Sequence, residues 1–342
     1  MNVKFDLNDI VIVPSTQSEI VSRKECNVKT ELNKLPLIAS PMDTVVSEEN
    51  IEKYINCGII PCIPRGQQIK KFIPSDYFFK SYSLSEIEKI LDEVETTHTS
   101  SLYYKNVLID MANGNMTKLI NVIKKFKIHF NDINLMVGNI ANPETYKILS
   151  EAGADYVRCS IGSGNSCTTA ANVSINYPLG SLISECRSLK ETYHLNAKIV
   201  ADGGMRNYSD IIKSLALGAD YVMIGSLFNK AIESAGFNYL FGVRINNKMA
   251  LYLWKWKFPI KKKYRGMSTK AVQRSWGKTK LTTAEGIIKY QKVEYTLCQW
   301  TENFIDYLRS AMSYCNARTL NDFIGKANFV QITQAAYERF KK

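Results

Sequence analysis

The chain has 342 residues, 45% apolar and 22% charged, an ordinary globular composition that excludes a disordered chain, a collagen-like fibre and a small disulfide scaffold. Lys and Arg total 44 against 32 Asp and Glu, a net charge of +12. That balance favours anionic partners such as nucleotides, nucleic acid or phosphorylated metabolites, set against plain solvated surface.

Short β-branched runs at 36–40, 58–63, 77–84, 107–111, 135–139, 156–160, 198–204 and 221–225 read as strands. Amphipathic stretches between them, such as 115–126, 143–154 and 208–219, read as helices, the last two ending in Ala-Gly-Ala or Leu-Gly-Ala before a strand. Apolar strands alternating with helices predict parallel βαβ units. Eight of them, with no GxGxxG after the first strand, predict a single α/β domain over 1–342, a (β/α)8 TIM barrel, and not a doubly wound sheet. After the eighth strand the pattern breaks. Residues 237–295 carry Trp254, Trp256 and Trp276 and a basic run at 255–265, and read as an irregular flap. It is expected to be a solvated lid with some aromatic packing, the alternatives being a lipid-facing or nucleic-acid-facing surface. A helix at 301–314 and a short strand at 328–333 close the chain.

The eight cysteines form no CxxC pair and do not cluster, and none of the three histidines lies near a cysteine pair, which argues against zinc; no run approaches the ~18 apolar residues of a membrane span. Free thiols without an export signal predict a cytoplasmic protein, and one of them is available as a nucleophile.

Barrels carry their chemistry at the C-terminal ends of the strands. Turn formation explains the glycines there, but not Asp110, Asn139 and Asp202 at the same end of three strands. Cys167 follows a strand in the loop 161–180, whose glycines let backbone N–H groups point inward, and Arg158 is near in sequence. Such surroundings can activate a thiol; a buried structural cysteine is the equal alternative. Gly203 and Gly204 after Asp202, and Gly225 and Ser226 after the next strand, suit a phosphate and a ribose, or they are simply turns.

With these segments in view, the chain resembles the IMP dehydrogenase/GMP reductase family. The matches are FDLNDIVIVPS (5–15), PLIASPMDTV (36–45), LIDMANGN (108–115), GSGNSCTT (162–169), VADGGMRN (200–207), ALGADYVMIGSLF (216–228), YRGMS (264–268) and FVQIT (329–333). The resemblance implies that Cys167 attacks C2 of a purine nucleoside monophosphate. Asp202 would hold the ribose, Gly203, Gly204, Gly225, Ser226 and Tyr264 the 5′-phosphate, and Gly266, Met267 and Ser268 the base. Asp110 and Asn139 would meet the nicotinamide side of the cofactor, with Ser22, Arg23 and Arg65 approaching the dinucleotide. The carbonyls of Gly162, Gly164 and Cys167 match a monovalent-cation site, for which the family's ion is K+. The family also implies a homotetramer. Without a spanning segment, and with the flap read as a solvated lid, no membrane or nucleic-acid partner is expected.

Within the family, a GMP reductase using NADPH is expected. The tandem regulatory insertion usual in dehydrogenases is absent between Pro61 and Tyr77, and residues 267–290 hold no adjacent Arg-Tyr pair to activate water. Ser268 follows Met267 where dehydrogenases have glycine, and DMANG (110–114) has the reductase form. Thr169 and the flap residue Glu285 would together protonate departing ammonia. Two features depart from the reductases: Pro41, the dehydrogenase form of its motif, and Asn165, in place of a phosphate-contacting Ser. The alternative is an IMP dehydrogenase lacking its regulatory domains, converting IMP and NAD to XMP.

Overall fold

The structure, a computed structural model, describes residues 3–71, 73–100, 102–275, 283 and 286–340. Its first strand, β1 (Ile10–Val13), pairs antiparallel with the last, β14 (Asn328–Gln331), joining the two terminal segments. Between them β2 (Leu37–Ala39), β3 (Ile60–Ile63), β4 (Phe79–Tyr82), β5 (Asn106–Asp110), β6 (Asn134–Ile140), β7 (Tyr156–Cys159), β8 (Lys198–Asp202) and β9 (Tyr221–Ile224) close a barrel, every neighbouring pair parallel. Helices cross between the strands, among them Thr117–His129, Pro143–Glu151 and Tyr208–Leu217. The expected (β/α)8 barrel is therefore the observed fold.

Strand alternation sorts two cores. Ile38, Cys62, Phe79, Leu108, Met136, Tyr156, Val200 and Met223 point inward and fill the barrel. The residues between them, such as Val107, Ile109, Val157, Ile199 and Ala201, point outward against the helices. Both faces of these strands are thus apolar, which is why they read as continuous runs. The weakest of those runs is β4. Its outward Lys80 is buried, with Nζ donating to the Pro64 carbonyl at 3.2 Å, and burial pushes its ammonium down to about 8.

The segment after β9 corrects the expectation of an irregular flap. It folds as a four-stranded antiparallel sheet of β10 (Asn238–Leu240), β11 (Val243–Ile245), β12 (Lys261–Arg265) and β13 (Ile288–Lys292), in the order β11-β10-β12-β13, with a helix at Asn247–Lys255. Periodicity fails to reveal β12 because a lysine takes one of its inward positions. Lys262 and Tyr264 are buried while Lys261 is exposed. Lys262 Nζ donates to the carbonyls of Ser234 at 2.6 Å and Gly236 at 3.1 Å, so one of the lysines expected on a solvated lid anchors the base of the flap. Trp276 lies outside the described residues.

Burial pushes the Lys262 ammonium down to about 7 from its ordinary 10.5, partly opposed by Glu233 and reinforced by Lys53. Between about pH 7 and 10.5 the unfolded chain holds a proton that the folded chain has released, so this residue makes stability rise with pH, by at most about 1.4 kcal/mol per pH unit. Lys262→Met is expected to flatten that rise. Thermal melting of both proteins at pH 7 and pH 10 checks it; equal pH dependence would refute it.

Candidate active site

The site begins with β5, β7 and β8. Leu108, Tyr156 and Val200 face into the barrel, so two residues further on Asp110, Arg158 and Asp202 do the same, where the barrel core ends. Arg158 unites the two carboxylates: Nη1 donates to Asp110 Oδ1 at 2.6 Å, and Nη2 and Nε donate to Asp202 Oδ2 at 2.8 and 3.2 Å. Burial by itself lowers this guanidinium's pKa, but Asp202 and Asp110 together raise it above its ordinary value. Arg65 Nε lies 3.4 Å from Asp110 Oδ2, extending the network.

Asn139 reaches this network through a break in regular pairing. Simple alternation from Met136 would turn it outward, but the register shifts between Gly138 and Ile140 and re-aims it. Its Nδ2 then donates to Asp202 Oδ2 at 2.7 Å. Gly138 makes room for the arginine: a Cβ there would lie 2.7 Å from Arg158 Cβ and from its carbonyl oxygen. Asp202 Oδ2 carries three hydrogen bonds, while among the described residues its Oδ1 has none. That leaves an acceptor for a hydroxyl in the cavity that Asp202 lines.

Above the network lies a cavity of about 340 Å³, within the usual range for small-molecule sites. Cys167, Thr169, Asp202, Gly203, Gly204, Gly225, Ser226, Tyr264, Gly266, Met267 and Ser268 line it, as do Arg65, Asp110, Asn139, Gly162 and Gly164. Ser22 and Arg23 do not. Ser22 caps the short turn Arg23–Glu25, and Arg23 Nη2 lies 3.6 Å from Asp306. Glu285 lies outside the described residues.

Cys167 sits beyond β7 with its Sγ 3.2 Å from Thr169 Oγ1, and its backbone N–H donates to the Gly164 carbonyl at 2.9 Å. The flap clamps this loop. Ile287 N–H donates to the Ser166 carbonyl at 3.0 Å, and Lys289 Nζ donates to the Asn165 backbone and side-chain oxygens at 2.7 and 3.0 Å. Arg265 Nε donates to both Asp43 oxygens at 3.2 and 3.1 Å, tying β12 to the loop after β2. Burial pushes the Tyr264 phenol up to about 12, so near neutrality it remains a protonated donor.

Several of these roles escape sequence reasoning. Arg158, expected to favour the Cys167 thiolate, is committed instead to Asp110 and Asp202. The Arg265–Asp43 and Lys289–Asn165 ties join segments far apart in the chain, so no local spacing reveals them. Ser160 and Ile161 also line the cavity without standing out as chemistry.

A family model described as the IMP dehydrogenase / GMP reductase domain matches residues 101–340, and with that match the barrel site has a lineage. The chain belongs to this family. The family is one of oxidoreductases that act on purine nucleotides with a nicotinamide dinucleotide. Inosine-5′-monophosphate dehydrogenase of Aquifex aeolicus is 31% identical over 239 residues, covering 68% of this chain and 45% of that protein. GMP reductase of Onchocerca volvulus is 28% identical over 285 residues, covering 81% of this chain and 70% of the reductase. GMP reductase of Caenorhabditis elegans is 27% identical over 257 residues, covering 72% and 65%. The chain thus spans a little under half the length of the dehydrogenases it matches first. Among the described residues, no helix is long and apolar enough to cross a membrane and no cluster of His, Cys, Asp and Glu could hold a metal ion.

Proposed function

We propose that this member of the family is a GMP reductase, carrying out NADPH-dependent reductive deamination of GMP to IMP and ammonia. The observation that carries the reading is Ser268, which lines the cavity beside Met267 and Gly266. A hydroxyl there accepts from a purine 2-amino group, which GMP has and IMP lacks. Residues 267–290 also lack the adjacent Arg-Tyr pair that hydrolysis of the adduct calls for. Pro41, in the cavity wall, is the feature favouring the dehydrogenase alternative.

In this reading Cys167 Sγ attacks C2 of the bound purine, and its proton leaves to solvent or a neighbouring base. Asp202 Oδ1 takes a ribose hydroxyl, while Gly203, Gly204, Gly225, Ser226 and Tyr264 surround the phosphate. A side chain at Gly225 would fill that cradle, its Cβ 2.9 Å from the Tyr264 hydroxyl. Thr169, in contact with the nucleophile, passes a proton to the departing 2-amino group, and Glu285 is its proposed source. The dinucleotide, when bound, supplies the hydride that C2 requires after ammonia has left, and the C2–Sγ bond then breaks to release IMP and return the Cys167 thiolate. Asp110 and Asn139, fixed by Arg158 and Asp202, would lie on its nicotinamide side, and Arg65 would favour a phosphate-bearing cofactor. The carbonyls of Gly162, Gly164 and Cys167 would offer a cation neutral oxygens, a donor set that suits K+ better than a divalent transition metal. A cytoplasmic homotetramer goes with this reading.

The test is the product. Incubated with GMP and NADPH, the protein is expected to release ammonia and IMP in equal amounts. IMP without ammonia, or XMP formed from IMP and NAD, would overturn the reading. In the same system Glu285→Gln is expected to slow ammonia release while sparing hydride exchange between NADPH and IMP; equal damage to both would make Glu285 an organiser of the flap.

A further inference from the structure

The positive charge of this chain is concentrated in one place. Between Glu233 and Glu285 there are twelve of the 44 basic residues and none of the 32 acidic ones. That segment accounts for the whole excess of +12, and the rest of the chain is balanced. The catalytic reading uses little of it: Lys262 anchors the flap base and Arg265 pairs with Asp43.

The helix Asn247–Lys255 shows what the rest of this charge accompanies. One face of the helix is turned inward. Ala250, Leu253 and Trp254 pack on Ile232, Ile260 and Val293, forming the small core of the flap. The opposite face carries Lys248, Met249, Leu251, Tyr252 and Lys255, with Trp256 at its end. Tyr252 is 62% exposed and Trp256 67%, and Met249, Leu251 and the following Phe258 also stand in solvent. Phe241 and Val243, at the turn between β10 and β11, are 80% and 66% exposed. A helix that is merely solvated puts polar residues on its outer face. Here the outer face mixes the exposed Met249, Leu251 and Tyr252 with Lys248 and Lys255, with no carboxylate in the segment.

We propose that this face of the flap is a docking surface for an anionic lipid bilayer. The chemistry fits one occupant. Amphipathic interfacial helices bury Trp, Leu and other apolar side chains at the boundary between headgroups and acyl chains while Lys and Arg meet anionic headgroups. Lysines at 248, 255 and 257 have stems long enough to lie along apolar surface with the ammonium in the headgroup layer. A single-stranded nucleic acid would match the charge and the aromatic rings. It would gain nothing from stacking on Met249 and Leu251, and these aliphatic side chains decide for lipid. The expectation of no membrane partner rested on the lack of a spanning segment, which interfacial binding does not need. The proposal does not rest on the reaction assigned above.

The experiment is co-sedimentation of the whole protein with vesicles of phosphatidylcholine alone or mixed with phosphatidylserine. The protein is expected to pellet with the mixed vesicles and not with phosphatidylcholine alone, and high salt is expected to release it. Two variants separate the contributions. Tyr252→Ser/Trp256→Ser removes the aromatic anchors, and Lys248→Gln/Lys255→Gln/Lys257→Gln removes charge while leaving polar side chains in place. Each is expected to weaken vesicle binding at least tenfold, with circular dichroism and turnover unchanged. Absence from the mixed vesicles overturns the proposal, as does equal binding to phosphatidylcholine or binding that both variants retain. So does tighter binding to a single-stranded RNA oligonucleotide, or self-association in sedimentation that Tyr252→Ser/Trp256→Ser abolishes, which would make the face a contact between copies of this chain.

Discussion

Replacing Cys167 by alanine is expected to end turnover while nucleotide binding survives. The thiol lies in the cavity wall with Thr169 Oγ1 at 3.2 Å and its loop held by the flap, so the substitution removes one sulfur and leaves the cradle intact. A covalent step split between attack and release has no substitute when the nucleophile is gone, and rate losses of about a thousandfold or more are the rule. Calorimetric titration with GMP should show binding within a few-fold of the parent. Mass spectrometry should show a nucleotide adduct on the parent and none on Cys167→Ala. Retention of more than a few per cent of activity would remove Cys167 from the chemistry.

Arg158→Met is expected to give the largest loss of stability of any single change at the site. It leaves Asp110 and Asp202 facing each other at the top of the barrel core without the guanidinium that both oxygen sets now share. Breaking a buried pair by removing one partner costs about 3–5 kcal/mol, because a charge left behind is uncompensated; here Asp202 loses its guanidinium partner, while Asp110 keeps Arg65 at 3.4 Å. Activity should fall as well, since the position of Asp202 is set by Arg158 and Asn139. Arg158→Lys keeps the charge but loses the fork that spans both carboxylates, so it should recover only part of the stability. Denaturant unfolding checks the order. A loss below about 1 kcal/mol for Arg158→Met would mean that the network is incidental to the fold.

The barrel was legible in the sequence because its strands are buried on both faces and its helices are amphipathic, two patterns that local reading detects. Even β4, with its buried lysine, sat in a recognisable aromatic run. The flap was not legible, because β10 and β11 are three residues each and β12 hides its alternation behind Lys262. At the site, strand ends identified Asp110, Asn139 and Asp202 as a group, and the structure joins them. What joins them is Arg158, a residue whose sequence neighbourhood pointed to Cys167 instead. Alternation along β7 sends its side chain into the barrel, while the thiol belongs to the loop beyond. Ser22 and Arg23 were singled out by motif position alone, and within this chain they do not line the cavity.

The central claim is the direction and substrate of hydride transfer, and absorbance at the nicotinamide band reads it directly. With purified protein and K+, NADPH is expected to be consumed on addition of GMP, faster than NADH under the same conditions, and IMP with NAD is expected to give no rise. A rise with IMP and NAD, and no loss of NADPH with GMP, would make the protein a dehydrogenase and contradict the account.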